Sequence, residues 1–161
     1  MKKIWLAVLL AASLLLTSCA LFPVEQKDFT KGDMTITLTN RFIERQQEGY
    51  TVCYDSASMG VFALREEFGL FEEVGYGAET SLADYRDLVL QANEVEAEPI
   101  GEDGLVGFRF TAQSDGQSYT FSAYVYKSTE AFWLLQFVTR TEDFSALQNL
   151  ILSYAKSVTV S

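Results

Sequence analysis

The chain has 161 residues, 48% of them hydrophobic and 14% aromatic, with 12 basic against 22 acidic side chains and no histidine. A net charge of −10 argues against the basic patches that nucleic acid and anionic lipid surfaces require. The missing histidine excludes Ser-His-Asp and Cys-His nucleophilic pairs, histidine-ligated zinc and imidazole general-base catalysis.

At the N-terminus, Met1-Lys2-Lys3 leads into an apolar run over 4–16 that only Ser13 interrupts. A basic start followed by a short apolar segment is the layout of a secretory signal. The run is too short to cross a bilayer as a helix, which takes about 20 residues. The tetrad Leu16-Thr17-Ser18-Cys19 then resembles a bacterial lipobox. That resemblance implies cleavage between Ser18 and Cys19, a diacylglyceryl thioether on the Cys19 sulfur, and a membrane anchor of acyl chains such as palmitate. A thiol is needed because a thioether forms, and two acyl chains hold a protein stably where one is marginal.

The expected organisation is a signal peptide over 1–18, a lipidated cysteine and tether over 19–30, and one domain over 31–161. Loss of Lys2 and Lys3 leaves 10 basic against 22 acidic residues, a net of −12, so the lipid rather than charge does the anchoring. A mature chain of 143 residues buries roughly two thirds of its unfolded surface and needs no staple. Lipidation of Cys19 leaves Cys53 without a disulfide partner. It reads as a small buried apolar residue, with a reactive thiol as the other possibility.

In chain order, Ala20 to Thr30 carries Pro23 and several charges, which predicts an irregular tether reaching at most about 35 Å. Met34-Thr35-Ile36-Thr37-Leu38 alternates strictly and predicts a half-buried strand. Segments 50–55 and 59–68 predict two more strands around a turn at Asp55-Ser56-Ala57-Ser58, and Gly69, Gly75 and Gly77 mark a loop. Ser81-Leu82-Ala83-Asp84 resembles a capping box, and Leu82, Tyr85, Leu88, Val89 and Ala92 recur at helical spacing, so 81–93 is a predicted helix.

The acidic stretch 94–104 ends in the turn signal Asp103-Gly104. A three-strand meander is expected over 105–112, 118–127 and 131–140, with turns at Asp115-Gly116 and Ser128-Thr129-Glu130. The last of these strands is apolar on both faces and belongs in the middle of a sheet. Thr141-Glu142-Asp143 reads as a helix N-cap, with Phe144, Leu147, Leu150, Ile151, Tyr154 and Val158 at helical spacing behind it. The fold class is α+β: an antiparallel sheet of five to seven strands with two helices packed on it.

That order, from Asp28-Phe29 through the Ser81-Leu82-Ala83-Asp84-Tyr85 helix start and the meander to a helix ending Ser157-Val158, resembles the PsbP-like fold over about 28–160. The fold is shared by an extrinsic photosystem subunit, a yeast Ran-binding protein and many small bacterial lipoproteins. The resemblance implies a non-enzymatic binding or assembly module and supplies no site residues. The photosystem subunit's metal contacts involve histidine, which this chain lacks, so no metal site carries over.

No dinucleotide, P-loop or nucleophile-elbow motif is present, and no cofactor is expected. Two sets of residues are candidates for binding. Glu94, Glu96 and Glu98 alternate ahead of Glu102 and Asp103, as a calcium site or acidic docking face or, more simply, as a solvated acidic edge. Tyr124 and Tyr126 share a strand face with Thr120 and Ser122. Uncovered, that face suits protein or glycan contact; covered by a helix, both tyrosines belong to the core.

The expected function is a lipid-anchored, extracytoplasmic, non-catalytic binding or assembly module of the bacterial envelope. Its partners would be the membrane, through Cys19, and an envelope protein, not nucleic acid. The alternatives are a small carbohydrate-active enzyme using two carboxylates, or a carrier holding a small apolar ligand between sheet and helix.

Overall fold

The computed structural model describes residues 23–161, so the signal segment, the lipobox and Cys19 lie outside the described residues. The elements are β1 (Gln26–Lys31), β2 (Met34–Thr39), β3 (Ile43–Arg45), β4 (Val52–Asp55), β5 (Gly60–Glu67), a 3-10 turn (Phe68–Val74), α1 (Leu82–Ala92), β6 (Glu98–Ile100), β7 (Val106–Ser114), β8 (Gln117–Lys127), β9 (Ala131–Arg140), α2 (Phe144–Ser157) and β10 (Thr159–Val160). They form a seven-stranded sheet in the order β3-β4-β5-β9-β8-β7-β6 and a three-stranded sheet in the order β1-β2-β10. Every pairing is antiparallel. The expected α+β class with two α-helices is what the described residues adopt.

β9 lies at the centre of the large sheet, as its two apolar faces require. Trp133, Leu135 and Phe137 point into one core with α2 and the small sheet; Phe132 and Leu134 point into the other with α1 and the 3-10 turn. The alternation of Met34, Ile36 and Leu38 buries all three, as read from the sequence, but against the first core from the small sheet.

The irregular tether expected up to Thr30 is corrected. β1 pairs residue by residue with β2, from Gln26↔Thr39 to Lys31↔Met34. The Asn40 amide donates to the Glu25 carbonyl at 2.8 Å, and the Asn40 side chain to the Pro23 carbonyl at 3.1 Å. One apolar residue, Phe29, anchors the strand against Tyr54 with ring centroids 4.9 Å apart. Pairing with an existing strand, rather than any local pattern, orders this segment.

Other differences have similar causes. β3 is exposed along its whole length and shows no alternation. β6 is a three-residue edge strand inside the expected acidic loop. Residues 68–74 form a 3-10 turn, ended by Gly75 at φ 77°. Thr141 does not cap α2: its hydroxyl bonds to Ser118 and Thr120 at 2.9 and 3.2 Å, and the helix begins at Phe144. The β7–β8 turn holds Asp115 and Gly116 at φ 51° and 75°, the two positive values a type I′ hairpin demands.

Asp33, in the β1–β2 turn, ties the two sheets together. Its carboxylate accepts from the Arg65 guanidinium at 3.2 Å and the Trp133 indole at 3.1 Å. Burial pushes the Asp33 carboxyl up, but hydrogen bonds from Ser128 and its own backbone, with Arg65 and Trp133, outweigh this and hold it below its ordinary value. A depressed carboxyl adds stability above its unfolded value, about 3.9, and that contribution is lost as pH falls through the folded value. Asp33→Asn is therefore expected to lower the urea midpoint at neutral pH and to converge on the wild type in acid. A deficit unchanged by pH would show that this carboxylate's charge is not what matters.

Gly107 sits where the sheet leaves no room for a side chain: a Cβ there would lie 2.2 Å from the Ala123 carbonyl oxygen and 3.0 Å from the Tyr124 ring. Gly107→Ala is expected to destabilise by about 1–3 kcal/mol, read as a thermal midpoint several degrees lower.

Candidate binding groove

The large sheet is wider than the cover on its α1 face, and a groove opens where α1 ends. α1 forms because apolar residues recur on one side and Ser81 caps it, its hydroxyl oxygen accepting from the Asp84 amide at 3.1 Å. The Asp84 carboxylate in turn accepts from the Ser81 hydroxyl at 2.6 Å. The Lys127 ammonium donates to the Ala78 and Thr80 carbonyls at 2.9 and 3.0 Å, pinning the chain that leads into the helix. Tyr85 is fully buried and stacks on Phe132 at 4.1 Å. Its phenol donates to the Glu66 carboxylate; burial first, and then that bond, push the phenol far above its usual value.

Beside this anchor lies a groove of about 460 Å³, within the range that holds small ligands. Leu64, Leu134 and Phe108 form its floor, and Phe71 and Val89 its walls. Tyr50, Asn93 and Gln136 supply polar groups at the same site. Register explains the floor: Phe62, Gln136, Ala123 and Phe108 are cross-strand partners in one row, next to the row Leu64, Leu134, Val125, Val106. Glu66 is the one carboxylate among the lining residues. The groove draws on β5, β7, β9, α1 and the 3-10 turn, so no local motif announces it. Its trace in the sequence is the helix residues Leu88, Val89 and Ala92, all three of which line the groove.

The sequence-predicted candidates lie elsewhere. Tyr124 and Tyr126 are in the core, 4% and 9% exposed, on the face covered by α2. The free tyrosine surface is thus corrected to its alternative. The Tyr126 phenol donates to the Ala155 carbonyl of α2 at 2.7 Å, and burial raises both phenols above their usual values. Glu94, Glu96 and Glu98 are exposed around the end of α1 and the start of β6. Among the described residues no cluster of three or more acidic or cysteine side chains converges on a metal-sized site. Glu98 and Pro99 occupy the outer strand of the large sheet, where charge and proline discourage edge-to-edge pairing. Cys53 is a free, buried thiol, raised by burial and then by Asp55.

No family model matches the chain, and no curated protein matches its sequence. Solved structures do. The solution structure of cyanobacterial PsbP (CyanoP) from Synechocystis superposes with a TM-score of 0.52 at 13% identity, covering 88% of this chain and 96% of that one. The fold is PsbP-like. A Bacteroides thetaiotaomicron crystal structure gives a TM-score of 0.56 at 10% identity over 84% of this chain, which spans about half of that protein, 48%. LpqN of Mycobacterium tuberculosis, involved in cell envelope biogenesis, gives 0.48 at 9% identity over 87% of this chain and 92% of that one. Among the described residues of this PsbP-like domain, no helix is long and apolar enough to cross a membrane.

The buried positions carry a direct test. Tyr126→Phe keeps the ring and removes the bond to Ala155. It is expected to cost about 0.5–1.5 kcal/mol of stability, measured by urea unfolding, and to leave surface binding unchanged. An unaltered midpoint would mean the phenol is not locked to α2.

Proposed function

We propose that the protein is a lipid-anchored, extracytoplasmic binding module of the bacterial envelope, tethered through Cys19, whose groove beside α1 takes a small and mainly apolar ligand. The observation that carries this reading is the apolar floor of Leu64, Leu134 and Phe108 next to polar groups from Tyr50, Asn93 and Gln136. That is the lining by which proteins hold small molecules: apolar walls with a few polar groups for orientation. The leader Met1-Lys2-Lys3, the apolar run behind it and Leu16-Thr17-Ser18-Cys19 support the anchor.

Binding without turnover is favoured by the state of Glu66. Tyr85 already donates to this carboxylate, and it has no second carboxylate opposite it in the groove. Two-carboxylate glycoside hydrolysis needs such a pair across the substrate. Asp55 and Asp143 do line one shallow depression on another side of the molecule, but Asp55 is ion-paired with Arg45 at 3.1 Å. An assembly role with an envelope protein is the second reading, with which the PsbP-like fold is compatible.

One experiment tests anchor and groove together. Cys19→Ala protein made without residues 1–18, so that no uncleaved apolar leader remains, is expected in the soluble fraction, where it binds the neutral probe N-phenyl-1-naphthylamine with enhanced fluorescence. Adding Gln136→Glu places a charge in the groove without changing its size. It is expected to weaken the probe about tenfold, or ~1.4 kcal/mol. Cys19→Ala protein that stays with the membranes counts against the anchor. Probe binding indifferent to Gln136→Glu counts against the groove.

A further inference from the structure

The exposed apolar residues are not scattered. Among the described residues the large exposed hydrophobics are Val24, Ile43, Leu70, Val74 and Leu150. Leu70 and Val74 lie in the 3-10 turn that follows β5. The other three gather at the opposite pole, where β1 starts, β2 ends and the β4–β5 turn lies. Val24 and Leu150, 51% and 40% exposed, line one hollow with Phe42, Met59 and Tyr154. Ile43, 53% exposed, follows Phe42 in the chain. The hollow measures about 470 Å³ and carries the Arg41 guanidinium as its charged group.

This pole is also where the chain arrives from Cys19. Asn40 holds the carbonyls of Pro23 and Glu25, so the chain is tied to the small sheet from Pro23 onward rather than only after Thr30. Between Cys19 and Pro23 lie Ala20, Leu21 and Phe22 alone. Four Cα-to-Cα steps span at most about 14 Å, less than half the reach of an irregular tether to Thr30. With the Cys19 acyl chains in the bilayer, so short a connection brings this pole down onto the headgroups. Apolar side chains held there bury themselves about 5–10 Å deep at the headgroup boundary.

We infer that the Val24–Ile43–Leu150 pole is a membrane-contact surface, which seats on the lipid and fixes the orientation of the domain. The inference rests on the lipid anchor proposed above. The contact is apolar rather than electrostatic, as a domain this acidic demands. It turns the 3-10 turn away from the bilayer, because β5 separates the pole from that turn by its full length.

The test uses full-length lipidated protein in vesicles of phosphatidylethanolamine and phosphatidylglycerol. A nitrobenzoxadiazole label goes on Val24→Cys, Leu150→Cys or, as the distal control, Leu70→Cys. Buried Cys53 stays unlabelled under native conditions. The expected result is several-fold stronger quenching at 24 and 150 than at 70 by a nitroxide high on the lipid acyl chain, with matching protection from aqueous iodide. In protein carrying Ile43→Asp beside the label at 150, that quenching should fall while the protein still floats with the vesicles. Labels at 24 and 150 that behave like the one at 70, in protein that floats, overturn the contact surface and leave the anchor standing. Protein that neither floats nor carries the diacylglyceryl mass overturns the anchor and the contact surface with it. Equal iodide protection in Cys19→Ala protein without vesicles also overturns the inference, because Leu21 and Phe22 or a second copy would then fill the hollow.

Discussion

The requirement that β9 be covered on both faces organises the molecule. Phe132, Trp133, Leu134, Leu135 and Phe137 are all buried, and a strand of that kind is stable only with packed layers on both sides. One layer is α2 with the small sheet, and the other is α1 with the 3-10 turn. The polar ties serve those layers. Asp33 joins the small sheet to Arg65 and Trp133 of the large one. Lys127 and Glu66 hold α1 in place, and Tyr126 reaches across to α2.

The two layers are unequal, and the groove beside α1 arises from that inequality. An eleven-residue helix is about 16 Å long, shorter than the sheet is wide, so its cover stops over Leu134 and Gln136 and a groove opens. On the other side the small sheet and α2 seal the core, which removes Tyr124 and Tyr126 from the surface. The small sheet also sets the position of the chain's entry. By pairing β1 with β2 it draws Pro23, four residues after Cys19 in the sequence, to one pole. With the anchor proposed above, that pairing would constrain how the domain meets the membrane.

The acidic character divides along the same lines. Glu94, Glu96 and Glu98 decorate the β6 edge, while the groove holds one carboxylate and the hollow at the Val24 pole holds a cation, Arg41. Charge in this protein marks edges and solvent faces. The groove proposed for binding is instead apolar, with polar groups from Tyr50, Asn93 and Gln136.

Strict alternation in Met34 to Leu38, helical spacing in α1 and α2, the Asp115-Gly116 hairpin and the double-sided apolarity of β9 determined the class, the two helices and the central strand. Each of these is a local pattern whose period matches one element. Tertiary structure alone decided the rest. β1, β3, β6 and β10 are short, exposed or mostly polar, and they are strands because a neighbour offers its hydrogen bonds. Thr141 resembles a cap, yet its hydroxyl is taken by Ser118 and Thr120 of β8. The groove and the apolar pole join residues far apart in the chain, and side-chain period says nothing about such meetings. Whether the Tyr124 and Tyr126 face of β8 would be covered was likewise undecidable from its alternation, because a strand's two faces are equivalent until something packs on them; both are buried here.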